Sequence, residues 1–300
     1  MDAWVVITIA AAFLQNVRST LQKYLKGHIG TTGATFVRFG YGLPFAFLFL
    51  GILYYVMGYP LPRLHWVFAG WVVLAALAQI FAQALLIHLF SYRNFAVGTA
   101  YSRTEPAQAA LFGLIFLSET VSWVALLAIA ISVAGVMLIS VARTELKPSA
   151  LVTSLATRSV AIGLCSGMFF GIAAVGYRGA SLSLSGPNFL MQGGVTLCAA
   201  ILFQTVIMLA FIALRDPAEL RRIVAAWRPA LVVGFVGASA SFGWFTAMTL
   251  EKAAVVKAVA QIEIIFTFAS TVFIFKEKIN RLEVAGCIAI VVGILVLLLT

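Results

Sequence analysis

Charge is what this 300-residue chain has least of. Lysine, arginine, aspartate and glutamate make up 10% of it, against 63% hydrophobic residues. Soluble proteins carry about 25% charged residues. A soluble fold of this length could not cover its surface with so few, and the mean hydropathy of +1.07 agrees. An integral membrane protein is expected. Its net charge of +10 would suggest a nucleic-acid partner in a soluble protein. In a membrane protein the basic residues collect in cytoplasmic connectors, so no nucleic acid is expected. Cysteine is scarce as well. Cys165, Cys198 and Cys287 lie inside apolar runs without CxxC spacing. They read as small core residues, not disulfides or metal ligands, and no metal or cofactor is expected. No GxxxxGK[ST] loop occurs, which argues against direct ATP drive. His28, His65 and His88 are scattered, without the HExxH cluster of a metalloprotease, and no N-x-S/T sequon is present. The opening "MDAWVVITIAAAFLQN" lacks the basic n-region and cleavage site of a signal peptide, so it reads as a retained first helix.

What is there is apolar runs. A helix needs about 20 residues to cross the hydrocarbon core. Runs of that length fall near 3–25, 34–57, 66–90, 95–117, 122–142, 159–180, 188–213, 229–250, 254–275 and 282–299. The expected fold is therefore all-α with ten transmembrane helices. The connectors are short, and none could be a soluble domain.

The chain also repeats. At an offset of 158 residues, "AVGTAYSRTEPAQAALFGLIFLSETVSWVALLAIAISVAGVMLI" lies over "AVVKAVAQIEIIFTFASTVFIFKEKINRLEVAGCIAIVVGILVL". Glu105 then matches Glu263, Glu119 matches Glu277 and Gly135 matches Gly293. Two five-helix repeats are expected, 1–145 and 158–300. Five is odd, so the second must cross the membrane inverted. Inverted repeats mark many secondary transporters, whose substrate sits at midplane between them. Four basic residues, Arg18, Arg38, Arg103 and Lys257, fall inside runs. Of the sixteen others, thirteen follow odd-numbered runs, and only Arg63, Arg178 and Lys252 follow even ones. The positive-inside rule then places the odd connectors in the cytoplasm and both termini outside.

The ends of the halves carry a resemblance. "EPAQAALFGLIFLSETVSWVALLAIAISVAGVMLI" resembles the EamA-type ten-helix members of the drug/metabolite transporter superfamily. Their pattern is a helix-starting proline, an apolar helix, a short turn with glutamate and a late glycine. "FTFASTVFIFKEKINRLEVAGCIAIVVGILVL" fits it too, with Ile264 where the proline would stand. The resemblance implies a carrier of small metabolites in the cytoplasmic (inner) membrane, often an exporter of amino acids or related compounds, with cytoplasmic termini. Small four-helix relatives couple to protons through a first-helix glutamate. This first helix has Gln15, Asn16 and Arg18 instead, so that residue does not carry over.

Charges inside a span are costly, face the bundle interior and mark substrate or ion paths. In "YSRTEPAQ", Tyr101, Glu105 and Gln108 fall at i, i+4 and i+7, one helical face, which is expected to line a cavity. Arg103 points elsewhere, and Pro106 is expected to bend the helix. Glu263 and Gln261 occupy the matching positions of the second half, with Lys257 one turn before Gln261. Gln15, Arg18, Ser19 and Gln22 form a stripe on the first helix, and the third run adds Gln79 and Gln83. The plainer reading makes such glutamines interhelical glue, lets Arg38 snorkel and has Trp244 pack. It makes the glutamates struts, Glu105 paired to Arg18 or Arg38 and Glu263 to Lys257. Mixed charges suit a zwitterionic or anionic metabolite. The expected function is a secondary carrier working by alternating access, one repeat rocking against the other, as a monomer or homodimer in the lipid bilayer, with a proton as possible coupling ion. A flippase for lipids or lipid-linked headgroups, or a channel on the same fold, is the alternative. An intramembrane enzyme is the third class.

Overall fold

The computed structural model describes residues 2–25, 29–89, 101–142, 158–186, 188–266 and 281–299, all of them helix, turn or coil without a strand. In chain order the helices are α1 (Ala3–Leu25), α2 (Thr31–Gly40), α3 (Leu43–Gly51) with a π-helical turn at Ile52–Val56, α4 (Trp66–Leu89), α5 (Glu105–Leu117), α6 (Trp123–Ala142), α7 (Arg158–Ser183), α8 (Phe189–Arg215), α9 (Pro217–Ala225), α10 (Trp227–Leu250), α11 (Ala253–Val259) and α12 (Arg281–Leu298). Among the described residues, eight stretches are long and apolar enough to cross a membrane, one of them Thr32–Val56. They correspond to eight of the ten runs. The other two, 95–117 and 254–275, are interrupted where they are described, and 95–100 and 267–275 lie outside the described residues.

Many large side chains face outward, and many of the completely buried positions are alanine. Phe13, Phe81, Trp123, Leu127 and Leu295 are exposed, whereas Ala12, Ala75, Ala82, Ala128, Ala240 and Ala247 are buried completely. Lipid tails are as apolar as leucine, so helices in a membrane gain little by hiding bulky groups and associate through small residues that let backbones approach. Cys165, Cys198 and Cys287 are all free thiols.

The chain divides into two compact units, each taking segments from both halves of the sequence. The first holds Met1–Ala76 and Gly176–Leu250, the second Leu77–Val175 and Glu251–Thr300. In the first, α1 and α8 pack on α10. A Cβ on Gly243 would lie 2.9 Å from Cβ of Ala11, and one on Gly234 would strike the Tyr41 carbonyl at the turn between α2 and α3. Arg178 was expected in a connector. It lies buried inside α7 instead, where Nη1 donates to the carbonyl oxygen of Met248 at 2.6 Å. Its guanidinium caps the carboxyl end of α10, where unpaired carbonyls and the helix dipole favour a cation. Arg178→Met is expected to lower stability by about 1.5–3 kcal/mol, the range for a hydrogen bond from a charged group, read as an earlier thermal midpoint of purified protein. The connector 214–228 also holds a helix not foreseen, α9. Asp216 caps it, and Arg222 bonds both Asp216 (2.8 Å) and Glu219 (2.7 Å).

The core of the second unit is the crossing of α6 and α12. A Cβ on Gly135 would lie 2.6 Å from the carbonyl oxygen of Gly286, and one on Gly293 2.8 Å from that of Ala128. Residue numbers fall along α12 as they rise along α6, so the two helices run antiparallel. At the 158-residue offset Gly293 matches Gly135 and Gly286 matches Ala128, so the two contacts are the same contact seen from either side.

Candidate functional site

The second unit gathers Arg103, Glu105, Lys257 and Glu263. Its first contribution is the stretch 101–108. Helix ends at Ser102, Arg103 and Thr104 form a turn, and α5 starts at Glu105. The break has a local cause. Pro106 lacks an N–H and cannot continue the ladder from Ser102, but it fits the first turn of a new helix. Thr104 Oγ1 donates to the Tyr101 carbonyl at 2.7 Å and accepts from Nε2 of Gln108 at 2.8 Å, which fixes the turn. A full interruption thus replaces the expected bend. The single face drawn through Tyr101, Glu105 and Gln108 does not survive it. Glu105 and Gln108 stay together on α5, while Tyr101 is buried against Val160 and Met137.

The second half breaks at the matching place. α11 ends at Val259, Ala260 and Gln261 form a turn, and helix resumes over 262–266. Lys257 and Gln261 therefore share no continuous helical face either. α11 packs against α5, and the charges pair across the two halves. Lys257 Nζ lies 2.9 Å from Oε1 of Glu105, and Arg103 Nη1 lies 3.9 Å from Oε2 of Glu263. The strut expectation paired Glu105 with Arg18 or Arg38; its partner is instead Lys257, from the opposite half. Gln261 Nε2 donates to the Arg103 carbonyl oxygen at 3.4 Å. These two residues are 158 apart, the repeat offset, so equivalent positions of the two halves meet each other here.

The cluster is only partly enclosed. Side-chain exposure is 18% for Glu105, 21% for Lys257, 12% for Glu263 and 40% for Arg103. Oε1 of Gln108 and Oε1 of Gln261 are buried without a hydrogen-bond partner. Buried amide oxygens in native structures nearly always have a donor from protein, water or ligand, so both are poised to accept one. Gln83 is half-buried on the part of α4 that belongs to this unit.

Gln15, Arg18 and Gln22 lie in the first unit. Gln15 accepts from Trp244 Nε1 at 3.0 Å, so Trp244 does more than pack. Arg18 is buried on the same stripe, and Gln22 donates to the Ala34 carbonyl at 2.8 Å. Two further glutamines of this unit tie neighbouring elements together. Gln204 donates to the Tyr177 hydroxyl at 3.2 Å, and Gln192 to the Leu184 carbonyl at 2.9 Å. Sequence reasoning missed Thr104, a residue with no charge to draw attention. It also missed that the stems of Arg18 and Arg38 both run beside Gly237 of α10.

The family model for EamA-like transporters matches residues 2–141 and 157–299. No curated protein matches the chain. One solved crystal structure of another protein aligns with a TM-score of 0.71 at 14% identity, covering 99% of this chain and 97% of that one. An identity that low speaks for the fold alone.

Proposed function

The chain belongs to the EamA-like transporter family, and from that premise we propose that it is a secondary carrier of a small zwitterionic metabolite, an amino acid or a close relative. It is a multi-pass membrane transporter; export across the cytoplasmic membrane by alternating access is the direction and mode we assign. The crossed ion pairs carry the reading. The two cations and two carboxylates of the cluster balance in charge. A zwitterion can exchange into it, its carboxylate taken by Lys257 or Arg103 and its ammonium by Glu105 or Glu263. Neither step moves net charge in a low-dielectric site, where an unbalanced charge is expensive. The open acceptors of Gln108 and Gln261 suit the remaining N–H groups of an ammonium. Discontinuous helices around a site between repeats are a common transporter construction, and breaks at equivalent places in both halves fit it.

We read the halves 1–145 and 158–300 as inverted five-helix repeats completing ten spans. The reciprocal antiparallel contacts of α6 and α12 support that. A proton carried on Glu105 or Glu263 is the coupling ion we favour. The test is a thermal-shift screen of purified protein against a metabolite library, since a ligand stabilises by mass action, about 2.7 kcal/mol at a hundredfold excess over Kd. Amino-acid-like zwitterions should raise the midpoint. A response confined to apolar cations or to lipids would refute the reading.

A further inference from the structure

The turn that breaks the first half also fixes how two amides are presented. Thr104 Oγ1 lies 2.7 Å from the Tyr101 carbonyl oxygen and 2.8 Å from Nε2 of Gln108. A hydroxyl has one hydrogen, and a carbonyl oxygen can only accept. That hydrogen therefore goes to Tyr101, and toward Gln108 the hydroxyl can only accept. The Gln108 amide must put its nitrogen there. Gln261, which is 5% exposed, is constrained in the same way. Its amide meets the Arg103 carbonyl oxygen at 3.4 Å, again an acceptor only. Turning either amide over would set oxygen against oxygen. Both amides thus hang by their nitrogens from one turn, Arg103–Thr104. Oε1 of each is buried, without a hydrogen-bond partner among the described residues. The hydroxyl is not needed to close the turn, because the Thr104 N–H already donates to the Tyr101 carbonyl at 3.2 Å.

We propose that Thr104 is a positioning residue which, with the Arg103 carbonyl, makes the site selective for ligands bearing N–H donors. A primary or secondary ammonium is accepted, and a trimethylated one is refused. This rests on the zwitterion reading and narrows it. The carboxylates do not make the choice, since a trimethylammonium keeps its charge and Glu105 and Glu263 still attract it. The amide oxygens do. A trimethylammonium has no N–H and leaves both buried acceptors unmatched. A site built to hydrogen-bond a group rejects the analogue that lacks it.

The experiment follows thermal unfolding of full-length protein in phosphatidylcholine nanodiscs. Glycine, serine, leucine and glutamate are each titrated beside the N,N,N-trimethyl form of the same compound. For any amino acid that stabilises the protein, the trimethyl form should need at least about tenfold more for the same shift. Thr104→Val keeps the volume and removes the hydroxyl. It should need about tenfold more amino acid, the loss of roughly one charge-assisted hydrogen bond, with the requirement for the trimethyl form unchanged. Thr104→Ser should restore the parent ratio between the two forms. A purely structural role would move the ligand-free midpoint and leave that ratio alone. Gln108→Met deletes the acceptor itself and should narrow the ratio as Thr104→Val does, which keeps the test open where the valine variant does not fold. Equal responses to the two forms in the parent, or variants that keep the parent ratio, overturn the inference and leave the zwitterion reading standing. No shift with any amino acid overturns both.

Discussion

Glutamine in place of Glu105 is expected to slow transport by about ten- to a hundredfold, the loss of roughly 1.4–2.8 kcal/mol, with the protein still in the membrane. The replacement keeps the shape of the side chain and removes its charge. Lys257, 2.9 Å away, then faces a neutral amide and the cluster carries an excess positive charge. On the proposed function, an ammonium loses one of its two carboxylate acceptors and position 105 can no longer carry a proton. Glu263→Gln should act in the same direction with a smaller effect, because Arg103 stands at 3.9 Å and is more exposed. An exposed, longer pair contributes less. Initial uptake rates in proteoliposomes, scaled to inserted protein, check both. Unchanged rates in the two variants would remove the glutamates from the mechanism.

Gly286→Leu is expected to abolish the folded protein instead of the activity alone. A Cβ at this position would lie 2.5 Å from Cγ1 of Ile139 and 2.6 Å from the Gly135 carbonyl oxygen. The opposing atoms include backbone, so no rotamer change relieves the clash. Overpacking of this kind costs about 1–3 kcal/mol, occasionally more, and the α6–α12 crossing is the core of its unit. Gly70 on α4 supplies the control, since nothing lies within 4 Å of a Cβ built there. Gly70→Leu should leave the monodisperse fraction on size-exclusion chromatography unchanged, while Gly286→Leu should lose most of it. Equal behaviour of the two would mean that the crossing is not as close as described.

The helices were legible because hydropathy reports them directly. Where a run of apolar residues is uninterrupted, as in α8 or α12, length alone suffices. Glu105 and Glu263 were legible because a charge in such a run stands out, and the 158-residue offset tied them together. Their partners were not. Pairing was argued from helical phase, and phase is lost across a break. Pro106 hinted at the first interruption. At Ala260 and Gln261 no proline announces the second, which only the repeat could have suggested. Arg178 was misplaced because charge near a run's end reads as connector, although it caps the neighbouring α10 from within the bundle. Arg38 looked like a residue reaching for the interface. Its stem and that of Arg18 both run beside Gly237, and no spacing rule connects residues on three different helices.

The decisive measurement is the uptake rate of the Glu105→Gln/Lys257→Gln double variant, using the compound that best stabilises the parent protein. The double variant is neutral, as the parent pair is, so its thermal midpoint should return to near the parent's. If the pair is transport machinery, uptake remains at least about tenfold below the parent even though the charge balance is restored. If the neutral pair transports at the parent rate, the charges at Glu105 and Lys257 only hold two helices together, and the site of transport lies elsewhere.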